Sequence, residues 1–213
     1  MSTTSKCSVL AILLVGISAP AVAVNFSFTG NFVNDNDVQL FNFNLLADAT
    51  VTLQTFGYGG GTNANGDAIL PGGFESTLQI FDYPSGAVNG GSILPGEVPN
   101  CGPRNPDPGR LGFCRDAYAQ VFLTAGSYQV ALTQYDNLAN STNLSNGFTH
   151  DGDPSFNSGF MGTFGFQGDS HWALDIVAAD SASPVVGAPE PGSALLAAPA
   201  FLLIGLGIRR RVH

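Results

Sequence analysis

The sequence predicts an all-β protein: a jelly-roll-like β-sandwich of about seven or more strands, flanked by an N-terminal signal helix and a C-terminal transmembrane helix. Three observations predict it. Between residues 24 and 181 apolar side chains alternate with polar ones at the period of a strand, and no stretch keeps a helical period. Gly, Asn and Asp, which turn a chain, separate the alternating runs. Both ends, in contrast, are unbroken or nearly unbroken apolar runs beside basic residues.

Residues 1–23 have the form of a secretory signal peptide. Lys6 supplies a positive start, and residues 9–17 (VLAILLVGI) form an apolar run too short to span a bilayer. Ala21 and Ala23 flank Val22 in the small-x-small pattern of a cleavage site, which places the cut after Ala23. Cys7 precedes the apolar run instead of closing it, so it is not a lipoprotein cysteine.

The strands follow in order. Val24, Phe26 and Phe28 share one face of the first. Residues 38–45 (VQLFNFNL) form a second, whose apolar phase shifts at Leu40 and Phe41 and predicts a bulge. Val51, Leu53 and Thr55 mark a third, residues 78–81 a fourth, residues 117–123 and 128–132 two more, and Trp172, Leu174 and Ile176 the last. Residues 124–127 (TAGS) and 46–50 (LADAT) read as hairpin turns, and the segments LLADATVTLQT and LTAGSYQVALTQ echo one another. Three long insertions remain, residues 57–73, 84–115 and 137–170, the kind of loop that binds or decorates. Residues 182–188 are expected to link this body to the tail.

Composition limits what such a body does. Of 213 residues 44% are hydrophobic and 11% charged, enough to bury a core and too apolar for a wholly disordered chain. The formal net charge is −9. Between residues 24 and 189 the basic groups are Arg104, Arg110 and Arg115, against fifteen acidic ones. Such a surface repels nucleic acid and anionic lipid and attracts divalent cations.

The C-terminal end carries the most specific pattern. Pro189, Glu190 and Pro191 precede an apolar stretch over residues 192–208, and Arg209, Arg210 and Arg211 follow. As a helix that stretch is about 25 Å long, at the short limit of a membrane span. The arginines place its far end in the cytoplasm and the large domain outside. This arrangement over residues 189–213 resembles the PEP-CTERM sorting signal of Gram-negative bacteria. The resemblance implies an exosortase as partner, processing near the motif, and travel with exopolysaccharide and biofilm systems. It implies nothing about the chemistry of the body. The stretches AGSYQVAL and DNDVQLFNFNL resemble bacterial pre-peptidase-type C-terminal sandwiches and related secreted jelly-roll modules, which are generally non-catalytic, some binding calcium or polymers.

Export also bears on the cysteines. With Cys7 removed, Cys101 and Cys114 remain, bracketing a loop rich in Pro and Gly, and in an oxidising compartment they are expected to pair. The alternative, a metal pair, lacks further Cys or nearby His.

Catalytic motifs are sparse. No Gly-x-Ser-x-Gly elbow and no His-Glu-x-x-His motif occurs. His150 lies in a Gly/Asp loop and His171 at a strand start, where an ordinary structural or solvated role outweighs catalysis. Glu75 and Glu97 are the only glutamates of the body, a poor basis for a glycosidase pair. Tyr58, Tyr83, Tyr118 and Tyr135 are candidate sugar platforms. Two Asp-rich turns carry hard oxygen ligands of the calcium type: Asp35 and Asp37 in one, Asp151 and Asp153 in the other. The second opens like an EF-hand loop but has Phe156 where the turn glycine belongs and Gly162 where the closing Glu belongs. Asx side chains in such turns also bond their own backbone. The expectation is an exported, non-enzymatic β-sandwich of structural or adhesive role; a carbohydrate-binding module for exopolysaccharide and a secreted hydrolase are the alternatives.

Overall fold

The structure, a computed structural model, describes residues 24–94, 115–163 and 165–186. Ten strands follow one another: β1 (Val24–Asn31), β2 (Gln39–Leu45), β3 (Ala49–Thr55), β4 (Gly61–Thr62), β5 (Ala68–Ile69), β6 (Ser76–Asp82), β7 (Tyr118–Leu123), β8 (Gly126–Gln134), β9 (His171–Ala179) and β10 (Ser181–Pro184). Eight of them form two packed antiparallel sheets, in the orders β1-β9-β3-β7 and β10-β2-β8-β6, and β4 with β5 makes a small ribbon. The body is all-β and sandwich-like.

Period-two patterning explains the inner layer. Phe41, Phe43 and Leu45 of β2, Val130 and Leu132 of β8, and Leu78 and Ile80 of β6 face Val51 and Leu53 of β3 and Trp172, Leu174 and Ile176 of β9. Rings lock across the layers: Phe41 meets Phe28 at 4.9 Å between centroids and stands edge-on to Trp172 at 5.7 Å. Each buried Phe or Leu contributes about 1.5–3 kcal/mol, so this layer dominates stability.

Several expectations are corrected. The bulge at Leu40 and Phe41 is absent; β2 keeps unbroken register with β8, from Gln39 opposite Leu132 to Leu45 opposite Gly126. Leu40 is apolar for another reason. It faces outward into a second cluster with Phe81, Ala131 and Phe148, where residues of the 137–170 insertion cover the sheet. The turns at 46–50 and 124–127 are not hairpins. Each passes from one sheet to the other, because β2 and β8 pair together while β3 and β7 pair together. The two echoing segments therefore share only their arches, their long strands β3 and β8 lying in opposite sheets, and Asp48 Oδ1 accepts the Ala125 N–H between the two arches at 2.8 Å. β10 lies in the stretch read mainly as linker and adds an edge strand to β2.

The disulfide expected between Cys101 and Cys114 is also corrected: none of the cysteines pairs with another. Both lie outside the described residues. A body of this size closes its own core and needs no covalent staple to fold. The signal segment with Ala21 and Ala23, and the tail with Pro189, Glu190, Pro191, Arg209, Arg210 and Arg211, lie outside the described residues as well. Among those described, no helix is long and apolar enough to cross a membrane.

Candidate functional site

The insertion at 57–73 folds over the outer face of the β1–β9 pair. Gly73 makes this possible: a Cβ there would stand 2.3 Å from the His171 carbonyl oxygen, so only glycine lets the returning chain pass the start of β9. Asp175 on β9 anchors the flap, accepting from the Ser27 hydroxyl at 2.6 Å and the Ala64 N–H at 2.8 Å. Asp116 anchors its base, accepting from Thr55 Oγ1 and from the N–H groups of Tyr58 and Gly59.

Beneath the edge of this flap lies a cavity of about 600 Å³, lined by Thr29, Asn31, Leu70, Asp169, His171 and Trp172 among others. Thr29 and Asn31 face outward on β1, in register with Ala173 and His171 of β9. His171 Nδ1 meets Asp169 Oδ1, and Nε2 donates to the Leu70 carbonyl at 3.0 Å. An acid–histidine pair invites comparison with a hydrolase relay, in which the far nitrogen serves a nucleophile. Here that nitrogen is engaged by a main-chain oxygen, which makes the pair a clip holding residue 70 to β9.

A second constellation joins the two Asp-rich turns, which the chain separates widely. Asp35, only 1% exposed, accepts the N–H groups of Asn157 and Gly159 on Oδ2, each at 3.0 Å. Asn36 Nδ2 donates to the His150 carbonyl, and Asn137 links both loops through the Asn36 carbonyl and the His150 N–H. His150 stacks on Phe156 with centroids 3.9 Å apart. The donor set fits calcium poorly. Asp37 Oδ2 accepts from the N–H groups of Val33 and Asn34, and Asp151 Oδ2 from Phe148 N–H, so N–H dipoles already face these oxygens. Asp153 is exposed and, among the described residues, makes only main-chain bonds to its own loop. Among the described residues no three His, Cys, Asp or Glu side chains gather as a metal would require.

Glu75, 2% exposed, accepts the Thr163 hydroxyl at 2.5 Å and lies 3.5 Å from Arg115 Nε, again tying an insertion to the sandwich. Of the tyrosines, Tyr58 is buried edge-on to Phe166, Tyr118 and Tyr135 are half-buried, and Tyr83 is exposed, with no shared platform. Sequence reasoning missed Thr29, Asn31, Leu70 and Asp169. Only the Asp-x-His spacing of Asp169 and His171 was available as a signal. Compared with known proteins, the chain matches no family model and no curated protein.

Proposed function

We propose that the chain is an exported surface or extracellular-matrix protein, sorted by an exosortase, whose β-sandwich has a structural or adhesive role and performs no catalysis. One observation carries the reading of the body: Asp35, Asp116, Asp175 and Glu75, all buried, each bind groups of an insertion. These carboxylates hold loops rigid on a scaffold, as a presenting surface requires. The pairings β1 with β9, β2 with β8 and β3 with β7 describe a ribbon doubled back and wrapped over two sheets, which supports a jelly-roll-like form.

Export and sorting rest on the ends of the sequence. A signal helix cut after Ala23 delivers the body across the inner membrane, and the apolar helix before Arg209 tethers it until processing near Pro189, Glu190 and Pro191. Mass spectrometry of the native protein tests this. A chain beginning at Val24 and lacking Arg209, Arg210 and Arg211 is expected; an intact basic end in a strain that carries an exosortase overturns it. Hydrolase screening with and without calcium tests the other half, and turnover of any substrate overturns it.

A further inference from the structure

We propose that the cavity between β1 and the end of the 57–73 flap binds a neutral, hydroxyl-rich ligand, the chemistry of a hexose unit in a glycan. This deepens the adhesive reading and rests on it only for the source of the ligand.

Four features point that way. The volume, about 600 Å³, lies within the range of small-ligand pockets. The polar groups of the wall suit hydroxyls: Thr29 Oγ1 donates or accepts, Asn31 offers an amide, and Asp169 keeps Oδ2 open because Oδ1 takes both the N–H and Nδ1 of His171. The opposite wall is aliphatic, from Ala68 through Ile69 and Leu70 to Pro71, and matches the C–H face of a sugar ring. Leu70 is 77% exposed, and its main chain is fixed because His171 holds its carbonyl. Such preorganisation lowers the ordering cost of binding. Charge argues against the anionic alternatives. No Lys or Arg lines the cavity, both ring nitrogens of His171 are engaged by Asp169 and the Leu70 carbonyl, and an acidic body surrounds it. Trp172, itself buried, completes the wall, and its Nε1 has no acceptor among the described residues.

Trp172 is also the only tryptophan of the chain, and it borders this cavity, so a ligand seated there is read through its emission. The full chain, dispersed in detergent, is titrated with neutral gluco-, galacto- and manno-oligosaccharides, with polygalacturonate as the anionic comparison and a neutral strand-forming peptide as the rival occupant. A saturable change with at least one neutral saccharide and none with polygalacturonate is expected. Asn31→Ala and Leu70→Ser, both at exposed positions, each weaken it about ten-fold, while Val186→Ser on the far linker side leaves it unchanged. Flat emission with every neutral saccharide at millimolar concentration overturns the proposal. So does saturation by the peptide instead, or affinity indifferent to Asn31→Ala and Leu70→Ser. None of these results touches the processing of the ends, so the two readings fail separately.

Discussion

The Asp35 carboxylate accepts the main-chain N–H of Asn157 at 3.0 Å, across 122 residues of chain. The turn after β1 is thereby fastened to the insertion that follows β8. Asp35 Oδ1, in contrast, is buried without a hydrogen-bond partner. A buried carboxylate with one oxygen doubly bonded and the other bare has a specific response to mutation.

Asp35→Ala is expected to cost about 1–3 kcal/mol, because the part-buried N–H groups of Asn157 and Gly159 lose their acceptor. Asp35→Asn is expected to cost much less, since the amide oxygen still accepts and a bare charged oxygen is no longer buried. Urea unfolding followed by Trp172 emission separates them. Equal losses would show that the charge, and not the acceptor, holds the loop.

Gly30 sits opposite Trp172, and a Cβ built on it would lie 2.3 Å from the indole ring. Gly30→Ala therefore forces Trp172 off its position against Phe41. Destabilisation of about 1–3 kcal/mol is expected, with a red shift of the single tryptophan emission. An unshifted spectrum at unchanged stability would refute the contact.

Thr163→Val removes the hydroxyl that binds Glu75 Oε2 and leaves the carboxylate to Arg115 and to the Thr163 N–H, 3.2 Å from Oε1. A loss of about 1–3 kcal/mol is expected. Combined with Glu75→Gln, the losses should fall short of their sum, because both act on one network. Strict additivity would mean the two side chains do not communicate.

Asp169→Ala releases the His171 clip from one side. Global stability should fall by no more than about 1 kcal/mol, the scale of an exposed ion pair. Local opening is the sensitive readout. Amide exchange should quicken across residues 68–73 and remain unchanged in β2 and β8; uniform exchange would place the clip elsewhere.

The strands were legible because alternation records burial directly: Phe41 and Phe43, or Leu174 and Ile176, point inward as their spacing requires. Pairing was not legible. A short polar turn such as residues 124–127 suits a hairpin and an arch equally, and only contact between β7 and β3 distinguishes them. Leu40 misled because a strand covered on both faces loses its simple period. The site was largely hidden. Thr29, Asn31 and Asp169 are unremarkable polar residues in sequence; the pairing of β1 with β9 brings them together, and the flap adds the apolar wall. The Asp-rich turns were seen correctly as turns, but their carboxylates bind main-chain N–H groups, some of them on the other turn, which local spacing does not reveal.

The placing of β9 between β1 and β3 has a consequence for how the molecule acquires its shape. The first strand has no neighbour in its sheet until residues 171–179 arrive, so early portions of the polypeptide have nothing to zip against. A topology so rich in distant partners folds slowly. The first sheet therefore stays open until almost the whole body is available to close it.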